Sequence, residues 1–109
     1  MSKIYAGARG PAGALVYVDG KPLRPRWDLR NHSPDGFEWG YQGSGPAQLA
    51  LAICCDHLND DQRALRVYQD VKWELIANLA GNDWRISSDT IQAAIDLVEK
   101  LAATDRPYP

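Results

Sequence analysis

The residues of this chain best suited to chemistry lie between Arg24 and His57, and the chemistry they suggest is the holding of an anion. Gly43-Ser44-Gly45-Pro46 stands where an extended, aromatic segment gives way to an apolar, helix-forming run. At such a turn the first N–H groups of the helix lack intrahelical partners and point the same way as the positive end of the helix dipole. The run is not a P-loop, because no Gly-Lys-Ser/Thr follows, and Gln48 occupies the third glycine position of G-x-G-x-x-G. A plainer reading is that the glycines permit a tight turn beside Trp39 and Tyr41. Upstream, Lys21, Arg24, Arg26, Arg30 and His32 outweigh Asp19, Asp28 and Asp35, with Trp27 among them. Guanidinium groups and an aromatic plane suit a phosphate- or base-bearing ligand. The plainer and favoured reading is a solvated loop whose arginines pair with Asp28, Asp35 or the helix surfaces, because surface charge clusters are common.

Catalysis has less behind it. Cys54 and His57 are three apart, neighbours on a helix, and could pair as nucleophile and base with Asp56 beside them. Cys54, however, sits in the most apolar stretch of the chain, where a buried thiol has a raised pKa and stays inert, so core packing is the expected role. His57 is expected at a helix C-terminus, where a partly charged imidazole is favourable. No pair of carboxylates, Ser-His-Asp set or metal cluster is legible, and no catalytic residue, metal ligand or cofactor is expected.

Bulk properties narrow the partners. Twelve basic and 14 acidic residues give a net charge of −2, which argues against whole-surface affinity for DNA while leaving a local basic patch open. The opening Met1-Ser2-Lys3-Ile4-Tyr5-Ala6-Gly7 has no signal-peptide apolar run, and no stretch is apolar enough to span a membrane. A cytosolic location, no membrane partner and two reduced thiols at Cys54 and Cys55 are therefore expected.

The elements that must position these residues follow from periodicity. In a chain of 109 residues, 45% of them apolar, one core suffices, and residues 1–103 are expected as a single domain with a frayed tail over 104–109. Lys3–Ala8 reads as a strand, and Ala14–Val18 as another, closed by the hairpin signal Asp19-Gly20. Lys21-Pro22-Leu23 begins a return strand that Pro22 and Pro25 hold to an edge. Arg24–Gly36 reads as a long polar loop, and Phe37–Tyr41 alternates as a strand should. Helices are predicted over Pro46–His57, apolar on all sides and central, from the cap region Asn59-Asp60-Asp61-Gln62 to Leu79, and after Ser87-Ser88-Asp89. Trp84-Arg85-Ile86 is a short extended piece. The class is α+β, with a small N-terminal antiparallel sheet of the hairpin plus the Phe37–Tyr41 strand packed on three helices.

The run from Asp35 to Ile53, with Phe37-Glu38-Trp39-Gly40-Tyr41-Gln42-Gly43-Ser44-Gly45-Pro46-Ala47-Gln48 at its heart, resembles the core signature of an uncharacterised family of small bacterial and bacteriophage proteins. The likeness continues through Tyr68–Ile76 and Trp84-Arg85-Ile86, and so covers most of the chain. It implies no activity, cofactor or site residue. Its setting in phages and mobile elements implies, by association, a part in the contest with host defence inside the bacterial cell.

The leading expectation is a non-enzymatic binding protein with an anionic-ligand site built from Arg24, Arg26, Trp27, Arg30, Tyr41, Gly43, Ser44 and Gly45. Ser44 donates to the anion of a nucleotide or nucleic-acid strand, Arg24 and Arg26 pair with it, and Trp27 or Tyr41 stacks. The alternative is a phage or mobile-element protein that inhibits a host defence complex, in the manner of an anti-CRISPR, through protein contacts anchored by Trp27, Trp73 and Trp84.

Overall fold

The computed structural model describes residues 2–104. Two hairpins build most of the sheet: β1 (Ile4–Gly10) turns through Pro11-Ala12 into β2 (Gly13–Val18), which turns through Asp19-Gly20 into β3 (Lys21–Pro22). Asp19 and Gly20 both take positive φ, 49° and 82°, the twist that lets a two-residue turn join antiparallel strands. Asp19 also fastens the turn to β1. Its N–H donates to the Ile4 carbonyl at 2.8 Å, and its carboxylate accepts from the Ile4 N–H at 2.9 Å. Pro22 has no N–H to donate, and β3 stays a two-residue edge.

The opposite edge is β4 (Asp83–Ser87), in the order β3-β2-β1-β4 with every pair antiparallel. The register puts Tyr5, Gly7, Val16, Val18, Trp84 and Ile86 on the face that meets the core, and Leu15 and Tyr17 on the exposed face. Gly7 is required there, since a Cβ would come within 2.5 Å of the Trp84 ring.

The α+β class with an N-terminal antiparallel sheet and three helices is as the sequence predicts, but Phe37–Tyr41 is not one of the strands. Of the three aromatics that alternation sets on one face, Phe37 and Trp39 are buried and Tyr41 is exposed. Their backbone is satisfied otherwise: the Trp39 carbonyl accepts from the Arg9 guanidinium at 3.0 Å, and Gly40, at φ 87°, donates its N–H to the Ile76 carbonyl at 3.1 Å. The fourth strand is instead the Trp84-Arg85-Ile86 piece.

Three helices carry the core. In α1 (Ser44–Leu58) every residue from Gly45 to Cys55 is buried, and it packs against both α2 (Asp61–Glu74) and α3 (Ser88–Thr104). It begins two residues before the expected start, so Pro46 is third in the helix, still in the first turn where a missing N–H costs nothing. Asn59 closes α1 in the left-handed conformation, its N–H on the Cys55 carbonyl at 3.0 Å. The next residue, Asp60, caps α2 by accepting the Arg63 N–H at 3.1 Å. α2 ends at Glu74 rather than Leu79 because the Asn78 side chain, in a 3-10 turn over Ile76–Asn78, donates to the carbonyls of Trp73 and Glu74. Thr104, where the frayed tail was expected to begin, is the last residue of α3, and the rest of that tail, 105–109, lies outside the described residues. Among the described residues no helix is long and apolar enough to cross a membrane.

Candidate functional site

The long connection between β3 and α1 is held by one side chain. Gln48, fully buried in α1, accepts from the N–H groups of His32 and Ser33 at 2.8 and 3.2 Å, and donates to the carbonyls of Pro25 and Arg30 at 2.6 and 3.1 Å. All four groups are backbone, which is what lets a loop without regular structure lie against a buried helix. His32 adds a contact from its Nε2 to the Tyr68 hydroxyl at 2.7 Å. Burial, then the cations Lys72 and Arg30, hold the His32 ring below its ordinary pKa.

Within this loop Arg26 takes a left-handed backbone, φ 61°, that turns its guanidinium onto two carboxylates. It pairs bidentately with Asp28 at 3.1 Å for both bonds, and with Asp61 at 3.0 and 2.8 Å. The hydrogen bonds from Arg26 hold both carboxyl groups below the usual carboxylate range. Arg26 therefore fastens the loop to the first turn of α2, and its charge is already met. Trp27, exposed, donates its indole N–H to the Ser33 carbonyl at 2.9 Å, closing the loop on itself.

Between the β2–β3 hairpin and the last turn of α1 lies a cleft of about 550 Å³. Lys3, Lys21, Arg24 and Arg26 bring positive charge to its walls, and Asp56 is the one acid among its lining residues. Lys21 and Arg24 are exposed and form no ion pair with a described residue. Asp56 is held from below: the hydroxyl of fully buried Tyr5 donates to its Oδ2 at 2.5 Å and Lys3 Nζ to the same oxygen at 3.2 Å. Burial first, and then this bond, raise the Tyr5 phenol well above its ordinary range. Cys55 also lines the cleft with its thiol pushed up to about 11, chiefly by burial. Cys54 is wholly inaccessible, and burial drives its thiol up further still. His57 Nε2 lies 2.6 Å from Gln92 Oε1 on α3, so it is engaged there rather than with Cys54. Among the described residues no group of three or more His, Cys, Asp or Glu is placed to hold a metal.

The residues singled out from sequence fall into two places. Arg24 and Arg26 line the cleft at the C-terminal end of α1. Gly43, Ser44 and Gly45 are at its N-terminal end and do not line that cleft. The cleft takes in Arg24 and Arg26 and leaves out Trp27, Arg30, Tyr41 and the glycine turn. At the N-terminal end no side chain caps the helix, Tyr41 packs where a Cβ on Gly43 would stand, and a Cβ on Gly45 would meet the Glu38 Cβ at 2.7 Å. Those contacts account for the glycines by close approach of Tyr41 and Glu38. Arg30 points its guanidinium back to the Leu29 carbonyl, while its own carbonyl is one of those tied by Gln48. Lys3, Lys21 and Asp56 of the cleft were not among the site residues expected. The sequence signal for Lys21 was present in the basic excess of its segment, whereas Lys3 and Asp56 are neighbours only through the fold.

The architecture and the cleft together define a small α+β domain with a basic pocket at the edge of an antiparallel sheet. The chain belongs to a family of unknown function (DUF6166), whose model matches residues 5–97. No curated protein and no solved structure matches it.

Proposed function

We propose that this is a non-catalytic binding protein that holds a small phosphate-bearing anion in the cleft between the β2–β3 hairpin and the C-terminal turn of α1. The observation that carries this reading is the pair Lys21 and Arg24, cations without ion-pair partners among the described residues, lining one cleft in a chain of net charge −2. Cations spent on structure, as Arg26 is, have nothing left for a ligand, whereas Lys21 and Arg24 retain their donors. Two buried free thiols suit a reducing compartment such as the bacterial cytoplasm.

The test is binding of inorganic phosphate and small phosphate esters, followed by thermal shift and calorimetry. A ligand at 100 times its Kd stabilises by about 2.7 kcal/mol. Replacing Lys21 and Arg24 together by alanine, both being exposed, is expected to weaken binding at least tenfold and flatten its salt dependence. Unchanged affinity in that double variant contradicts the assignment.

A second reading rests on a different observation. Trp73 on α2 is 59% exposed and Leu97 on α3 is 43% exposed, residue types and exposure that suit an interface with a protein partner. Such a partner fits the alternative of a phage-encoded inhibitor of a defence complex. Its check is whether Trp73→Ala abolishes capture of a specific bacterial protein that the wild type retains.

A further inference from the structure

The cleft does more than offer positive charge, and the position of Asp56 is the reason. A bare anion would meet two unspent cations but also the carboxylate on the facing wall. Asp56 cannot turn away, because Tyr5 from β1 and Lys3 both bind its Oδ2. Oδ1 accepts no hydrogen bond from any described residue, and the Asp56 side chain remains 28% exposed. A carboxylate oxygen has about two acceptor positions, so the cleft presents donors for an anion on the hairpin side and a fixed, unfilled acceptor on the helix side. Its volume of about 550 Å³ lies within the range of small-molecule sites. No Trp, Tyr or Phe lines it, so there is no platform on which a base could stack.

Resting on the cleft reading above, we propose that the ligand is a hydroxylated phosphate monoester, a sugar phosphate, whose phosphate lies against Lys21 and Arg24 while a hydroxyl donates to Oδ1 of Asp56. The carboxylate then contributes selectivity: it repels the unsubstituted anion and rewards the one that brings a donor. Tyr5 and Lys3 act as positioning residues through their hold on Oδ2.

The experiment is a calorimetric comparison of inorganic phosphate, butyl phosphate, ribose 5-phosphate and adenosine monophosphate on the intact protein. A charge-assisted hydroxyl bond is worth about tenfold in affinity, so ribose 5-phosphate is expected to bind about tenfold tighter than butyl phosphate, which is a monoester without hydroxyls. Adenosine monophosphate should bind no tighter than ribose 5-phosphate. In Asp56→Asn the ratio of ribose 5-phosphate to butyl phosphate should collapse toward one. The wild-type ratio stands as a test even where that variant folds poorly. Equal affinity for ribose 5-phosphate and butyl phosphate in the wild type overturns the hydroxyl assignment and leaves the anion cleft intact. A nucleotide bound tenfold tighter than ribose 5-phosphate overturns the sugar-phosphate class. Binding of none of the four overturns both the assignment and the cleft reading beneath it.

Discussion

A buried glutamine is tolerable only where both ends of its amide are occupied, and Gln48 meets four backbone groups of the loop that carries Arg24 to Arg30. Replacing Gln48 by alanine leaves those groups without their partner. Because water reaches part of the loop, a loss of about 2–4 kcal/mol is expected, read by urea denaturation; a loss under about 0.5 kcal/mol would mean the loop is held by something else. None of this was legible beforehand. Gln48 drew notice only as the residue that spoiled a glycine motif, because its partners are main-chain atoms 15 to 23 residues away. Arg26 shows the complementary failure. Its charge was evident from sequence, but its pairing with Asp61, 35 residues on, was not, and that pairing changes it from a ligand-binding candidate into a brace. Charge type is local information, whereas whether a charge is already spent depends on the fold.

At the scale of elements, the helices were the most legible because an apolar period fixes both their existence and their buried side. The all-apolar run Leu49–Cys55 is the buried centre it was expected to be. The Asp19-Gly20 hairpin was equally clear, since few residue pairs accept positive φ at two successive positions. Phe37–Tyr41 was half legible: alternation correctly placed Phe37 and Trp39 inside but put Tyr41 on the same face, where it is instead exposed, and alternation says nothing of where backbone hydrogen bonds go, here to Arg9 and Ile76. Arg9 is central to that arrangement. It pairs with Glu38 at 2.8 Å, lies 4.5 Å over the Trp39 ring and donates to the Gly81 carbonyl at 2.9 Å, joining β1 to both flanking loops. The turn leading into α1 makes its own prediction. Gly45→Ala forces a Cβ against Glu38, whose Cβ and backbone N lie at 2.7 and 3.2 Å, so a destabilisation of about 1–3 kcal/mol is expected. Gly10→Ala, where a Cβ meets nothing within 4 Å, is the control, and equal effects of the two in thermal denaturation would contradict the close-approach account.

For the whole molecule, acid stability should fall in two stages. His32 is held below its ordinary value of 6.5 by burial and nearby cations, so the folded state keeps the ring neutral while the unfolded chain takes up a proton. Stability is therefore complete above 6.5 and declines as the pH drops toward the depressed folded value. Asp28 and Asp61, lowered from 3.8 by Arg26, and Glu99, lowered from 4.5 by Arg63, add a second loss below those ordinary values, by the same sign. Unfolding midpoints measured across this range should show both stages, with His32→Gln removing the first and Arg26→Ala diminishing the second. A flat profile between neutral pH and 5 would contradict the burial of a neutral His32.

The central claim, that the anion site is the cleft at the C-terminal end of α1 and not the glycine turn at its N-terminal end, is tested most directly by titrating isotopically labelled protein with ribose 5-phosphate and following the backbone amide signals. The account predicts the largest shifts at Lys21–Arg26 and Cys55–Asn59, saturating together. Saturable shifts centred on Gly43–Ala47, with the cleft residues unmoved, would contradict it.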